Sequence, residues 1–217
     1  MRMLTFLTAA GLLSMFITSC KNEAKTTGPA FDTTCVTTPF KWTGDAAQKM
    51  EVVLSVDNCI ADTLSWTHKS METPRMMHVS TLMDNMIQPS KDAVKCVFVG
   101  NKYAWLTFND AFSGRGFMVM MPFDKKESLR TMKGAINSFD KKFVLPDDLR
   151  AYSTYNEIFV EDINTGKTEK MSYKEEYTIK WNKIHETIDS VNISHKRIFV
   201  QLIRNGEKVQ LEKAIDL

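Results

Sequence analysis

Thioether sulfurs and an imidazole gather at Met76, Met77, His78, Met83 and Met86. Soft sulfur ligands select soft ions such as Cu(I), so this run is the candidate metal site of the chain. Against it, no cysteine and no second histidine joins the run at ligand spacing. Methionine also fills irregular core gaps, and Met118, Met120 and Met121 sit inside an apolar run where packing is the simpler account.

Acid–base chemistry would need two titratable groups facing one pocket. Asp147-Asp148, Glu157, Asp162 and the four histidines supply the residue types. They stand in no recognisable frame: there is no GxSxG elbow, no HExxH helix and no glycine-rich phosphate loop. Neighbours such as His185-Glu186 are what a charged surface produces by composition. An enzyme is therefore not the expected reading, no catalytic residue is assigned, and no cofactor is implied.

Trp42, Trp66, Trp105 and Trp181, with five tyrosines, offer rings on which a sugar or a peptide side chain could stack. Trp105 alternates with Tyr103, so both lie on one strand face, which is either buried or an aromatic binding strip. In Phe112-Ser113-Gly114-Arg115-Gly116-Phe117, Arg115 could hold an anion in its guanidinium fork. That stretch lacks the strand-to-helix context of a phosphate cradle, so a turn bearing an arginine is expected instead.

The N-terminus carries the most specific signal. Arg2 precedes an apolar stretch, Leu4 to Ile17, too short to span a bilayer, and Ile17-Thr18-Ser19 leads directly into Cys20. This resembles the bacterial lipobox. The resemblance implies a signal peptide over residues 1–19, cleavage before Cys20, and acylation of that cysteine. Several acyl chains, at about 0.8 kcal/mol per buried CH₂, hold a soluble domain on a membrane essentially permanently. The following Lys21-Asn22-Glu23-Ala24-Lys25 is similar to the surface-export tethers of Bacteroidota-type lipoproteins, although Asn22 departs from the acidic pattern. An acylated tether is expected over residues 20–34, where Thr, Gly, Pro and Lys replace apolar residues. By the same resemblance, Asp32-Thr33-Thr34, Asp62-Thr63-Leu64 and Asp189-Ser190-Val191 look like short O-glycosylation signals, with Thr33, Thr63 and Ser190 as acceptors.

Once Cys20 is given to lipid, Cys35, Cys59 and Cys96 remain. Three thiols in an exported chain can close one bridge and leave one over. Cys35 with Cys59 closes the shortest loop and is the preferred pair, while the other pairings and three free thiols stay open. No two show CxxC spacing, which argues against a thioredoxin-like centre or a zinc knuckle. Residues 1–19 contain one basic and no acidic residue, so the mature balance is 27 Lys+Arg against 26 Asp+Glu. Nothing in that balance, or in the interspersed charges of Lys167 to Glu176, steers toward nucleic acid.

These residues need elements to position them. Met50, Val52, Leu54 and Val56 alternate as on a strand. Val94 to Val99 and Tyr103 to Phe108 flank Gly100-Asn101-Lys102 as a hairpin, and Gly116 to Met121 continues it as a third strand stopping at Pro122. Asp124, with Glu127 three residues on, reads as a helix cap, and Leu129, Met132, Ala135, Ile136 and Phe139 follow at helical spacing. One packed helix is therefore expected from Asp124 to about Asp140–Lys142, followed by a turn at Pro146-Asp147-Asp148. Further hairpins are expected around Asn164-Thr165-Gly166 and Asn205-Gly206. Between them Tyr177, Ile179 and Trp181 alternate like a strand, whereas Trp181, Ile184, Ile188 and Val191 space like a helix; strand then loop is preferred.

The expected fold is α+β: β-rich antiparallel sheets built from hairpins with one main packed helix, over residues 35–217, with a sub-boundary near residue 150. The expected role is that of a membrane-anchored exported lipoprotein with a binding or envelope-structural function. Its partners would be the membrane, through the lipid, and a glycan or protein ligand. Its place would be the cell envelope, at the outer membrane. The competing role is a hydrolase or carbohydrate-processing accessory on the same anchor, which a deep pocket with paired carboxylates would distinguish.

Overall fold

The computed structural model describes residues 31–83, 86–173 and 187–217. Three sheets organise them. The first has the order β1-β2-β3-β4, comprising β1 (Phe40–Thr43), β2 (Glu51–Asp57), β3 (Ile60–Thr67) and β4 (Arg75–His78). A single turn of helix, α1 (Val79–Met83), follows β4 and buries Val79 and Met83.

The second sheet has seven strands. They are β5 (Pro89–Val99), β6 (Tyr103–Asp110), β7 (Gly116–Pro122), β8 (Arg130–Ile136), β10 (Leu149–Thr154), β11 (Glu157–Asp162) and β12 (Thr168–Ser172). Their spatial order is β12-β11-β10-β8-β7-β6-β5. The third sheet runs β15-β14-β13-β9, from β9 (Phe143–Val144), β13 (Ile188–Ser194), β14 (Arg197–Arg204) and β15 (Glu207–Ala214). All pairings are antiparallel except β13 with β9. The expected sub-boundary near residue 150 falls inside β10, which pairs with β8 on one side and β11 on the other.

The helix expected from Asp124 is corrected by the structure: Arg130–Ile136 is strand β8, antiparallel to β7. Asp124 does cap, but it caps a turn. Its carboxylate accepts from Lys126 N–H at 2.8 Å, and its carbonyl accepts from Glu127 N–H at 3.2 Å. The chain then enters the sheet. Apolar residues at helical spacing became a strand because both faces of β8 are covered toward its end, where Ala135 and Ile136 are buried in succession and the period-2 pattern is erased. The fold is thus β-rich and closer to all-β than to α+β, and α1 is the sole α-helix of more than one residue among the described residues. The stretch containing Tyr177, Ile179, Trp181 and Ile184 lies outside the described residues, while Ile188 and Val191 belong to β13.

The large sheet is strongly rolled. Tyr103 on β6 donates its hydroxyl to the carbonyl of Ile163, just past β11, at 2.7 Å, and Lys95 on β5 reaches Asp147, just before β10, at 2.6 Å. Each pair is four strand steps apart, roughly 19 Å in a flat sheet at the usual strand spacing. Only a sheet curling onto itself brings them together. Trp105, Met118, Met120, Met132 and Ala135 fill the inside of the curl. Outside it, the first sheet packs its Val52, Leu54, Leu64 and Trp66 against Leu106, Phe117, Val119 and Met121. The third sheet packs Val191, Ile198 and Val200 against Ala151, Ile158 and Val160. β7 is buried along its whole length because it has a core on each face.

Candidate functional site

Two places concentrate chemically capable side chains. The first is inside the rolled sheet. Glu161 of β11 is buried and accepts two hydrogen bonds from the Arg130 guanidinium, at 2.8 and 3.1 Å. That guanidinium lies 5.7 Å from the centre of the Trp105 ring, and its bond to Glu161 raises its pKa above the ordinary arginine value. Tyr152 stacks on Phe159 at 5.1 Å beside it.

Arg150 of β10 is 7% exposed. Its Nη1 donates to the carbonyls of Asp147 and Leu149, both at 2.8 Å, and its Nε meets no hydrogen-bond partner of the protein. Burial pulls its pKa below the ordinary value despite the surrounding carboxylates. Arg150, Lys95, Thr107, Asn137 and Asp147 line a cavity of about 30 Å³, room for one water-sized molecule. Small-molecule sites usually measure about 300–1,000 Å³. This cavity borders the buried Arg150 guanidinium and is far smaller than a site for an organic substrate.

Of the groups singled out for acid–base work, Asp148 and Asp162 come near one another at His195, and the remaining carboxylates lie apart from them. Asp147 pairs with Lys95 at 2.6 Å, which holds its carboxyl below the usual range. Asp148 faces His195 at 3.2 Å. Glu157 accepts from Lys170 at 2.6 Å and from Ser172 at 3.0 Å, and both lower its pKa. Asp162 accepts from the N–H groups of Asn164 and Thr165 and so shapes the β11–β12 turn. Asp162 is buried and feels the charge of His195, which brings it close to Asp148, while Asp147 and Glu157 are held in separate lysine pairs. His68 is buried, bonds Ser70 and stacks on Phe123 at 5.2 Å, as a core imidazole does. His185 and Glu186 lie outside the described residues.

The second place is the free edge of the first sheet. Strand β4 and the loop before β8 form an open groove of about 470 Å³, lined by Trp66, Arg75, Met76, Met77, Leu82 and Leu129 among others. The Arg75 guanidinium sits 5.0 Å from the Trp66 ring centre and donates to the carbonyl of Glu127 at 3.1 Å. Trp66 itself is buried and donates its indole N–H to the carbonyl of Pro122 at 3.0 Å. Met76 and Met77 are exposed, and among the described residues β4 has a hydrogen-bonded neighbour on one side only. Sequence reasoning had the methionines but not the edge, since a four-residue strand ending in His78 shows no clear alternation.

The thioether run is dispersed by the fold. Met76 and Met77 are successive strand residues and point to opposite faces. Met83 is buried in the core, and Met86 is exposed on the segment leading to β5. His78 pairs with Asp62 at 3.6 Å and lies 3.4 Å from the Thr63 hydroxyl. Among the described residues no group of three or more His, Cys, Asp or Glu is placed to hold a metal ion. Of the aromatic candidates, Trp105 is fully buried, so its face with Tyr103 is the inside of the roll and not a binding strip. Arg115 donates to the carbonyl of Lys133 at 2.8 Å and covers the Phe117 ring, which fits the turn reading.

Cys35 and Cys59 are joined in a disulfide with Cα atoms 4.9 Å apart, and Cys96 is the free cysteine among the described residues. Burial pushes the Cys96 thiol up to about 12, so it is not a nucleophile at neutral pH. Of the three proposed glycan acceptors, Thr33 is exposed, while Thr63 and Ser190 are half-buried. Thr63 donates its hydroxyl to Asp62 at 2.8 Å. No helix among the described residues is long and apolar enough to cross a membrane. No known protein-family model matches the chain, and no curated protein matches it in sequence.

Proposed function

We propose that the chain is an exported lipoprotein, held on the outer membrane by acyl groups on Cys20, whose β-rich domain has a binding or envelope-structural role. The observation that carries this reading is the Cys35–Cys59 disulfide. Disulfides persist in oxidising compartments and are rare in the cytosol, so the bridge agrees with the export that the Ile17-Thr18-Ser19-Cys20 lipobox implies. The bridge also ties the end of the tether to the β2–β3 turn, where Asn58 and Cys59 hold positive φ. A tether fastened in this way transmits the anchor to a folded body.

A binding role draws support from the β4 edge, where unpaired backbone groups and the Met76–Met77 pair border the Trp66 groove. An extended peptide can add to such an edge as a further strand. Intact mass of detergent-extracted protein tests the anchor: the expected mass is that of residues 20–217 plus acyl chains. A mass equal to the bare peptide would overturn the reading. Protease accessibility in intact cells then separates the surface face from the periplasmic face.

A further inference from the structure

Phe112 and Met86 are 73% and 75% exposed, more than any other large apolar side chain of the described residues. The segments that carry them are joined near residues 32–33, where the chain enters the domain. Ala111 N–H donates to the carbonyl of Gln88 at 2.8 Å, and Gln88 N–H donates to Asp110 at 3.1 Å. The Gln88 side chain donates to the carbonyl of Thr33 at 2.9 Å, and Asp32 pairs with Lys91 at 2.6 Å. One hydrogen-bonded cluster thus joins the end of the tether, the start of β5 and the β6–β7 turn, with Phe112 and Met86 at its edge. The Ile87 carbonyl accepts from Ala61 N–H at 2.8 Å, next to the β2–β3 turn that carries the disulfide.

From this placement we infer that the tether end of the domain docks on the bilayer, with Phe112 and Met86 entering the lipid interface. The inference rests on the lipid-anchor reading above. Ten residues lie between Cys20 and Phe31, so even a fully extended chain keeps the acyl groups within about 40 Å of Phe31, at the end of the domain that carries the patch. A covalent anchor makes the contact intramolecular, and two apolar side chains too few for free partitioning then suffice to orient the domain. The charges nearby are mainly acidic: Lys91 pairs with Asp32, Asp110 accepts from Ser113, and Asp57 and Asp92 are exposed. The contact is therefore apolar, and it forms on neutral lipid in preference to anionic lipid.

Methionine oxidation reads this directly, because Met76 is 64% exposed and lies four strand residues further from the tether end, opposite Ser65. The lipidated protein is reconstituted into phosphatidylcholine vesicles, treated with hydrogen peroxide and mapped by mass spectrometry. The expected result is Met86 oxidising about ten-fold more slowly than Met76 as lipid shields it, unchanged in high salt. The substitution Phe112→Asp should bring the Met86 rate back toward that of Met76. Equal rates in acylated wild-type protein would overturn the docking and leave the anchor intact, whereas a missing acyl mass on Cys20 would overturn both. Shielding of Met86 that disappears on diluting protein at constant lipid would identify a second copy as the occupant and also overturn the inference.

Discussion

Arg150 and Cys96 illustrate how burial sets the behaviour of single residues here. Burial keeps the Cys96 thiol neutral to about pH 12, against 9.0 for an ordinary thiol, and keeps the Tyr173 hydroxyl neutral to about 12, against 10.0. In both cases the unfolded chain ionises first. The sign follows: the native state loses stability as pH rises from about 9 toward 12, and nothing is lost on these groups below 9. Denaturant titrations at successive alkaline pH should show that decline, and Cys96→Ala should delay its onset. At neutral pH native Cys96 should resist iodoacetamide and react once denaturant is added. The Arg130–Glu161 pair predicts a separate cost. Glu161→Gln leaves a half-buried guanidinium with a neutral partner, and the midpoint in urea should fall by the equivalent of about 1–2 kcal/mol.

At the scale of elements, the β7–β8 pairing depends on one close approach. A Cβ on Gly116 would stand 2.2 Å from the carbonyl oxygen of Ala135, at the shift of register between these strands. Gly116→Ala must push backbone apart, and a loss of about 3 kcal/mol is expected in chemical denaturation, where Gly→Ala at an open site would be near neutral. The Cys35–Cys59 bridge closes a loop across a sequence separation of 24. Reducing it should cost about 3 kcal/mol, read as a lower thermal midpoint with reductant than without. The hairpin turns were legible because backbone chemistry is local. Asn205 and Gly206 both hold positive φ, as a two-residue hairpin requires, and Gly100 and Gly166 do the same in their turns.

At the scale of the molecule, the rolled sheet packs its outer face on each of the two flanking sheets and keeps a separate interior of its own. Its seam should be measurable. Tyr103→Phe removes the hydroxyl that reaches Ile163 and should cost about 1 kcal/mol, with little change in the circular dichroism of the strands. Amide exchange should be slowest in β6 and β7, which have a core on each face, and fastest in β4 and β15 at sheet edges. Exchange in β7 no slower than in β15 would contradict the placement of the cores. The sheet also separates the surface into two regions of different character, the tether end with Phe112 and the edge groove beside Trp66.

The sequence by itself determined what depends on neighbours in the chain. The resemblance of residues 17–20 to a lipobox, the glycine- and asparagine-bearing turns, and the alternation of β2 and β6 can all be read over a few residues. The tertiary structure decided what depends on residues far apart. Whether Arg130–Ile136 is helix or strand rested on β7 and β10 being present on either side, which outweighed a helical spacing and a capping aspartate. Whether Tyr103 and Trp105 form a binding strip or a core rested on the curl that brings Ile163 over them. Whether the methionines of residues 76–86 cluster rested on strand alternation and on α1 turning Met83 inward. The Cys35–Cys59 pair, preferred from the sequence because it closes the shortest loop, is the one formed where the β2–β3 turn meets Cys35. Local chemistry is written along the chain, while burial belongs to the surfaces that the folded chain brings together.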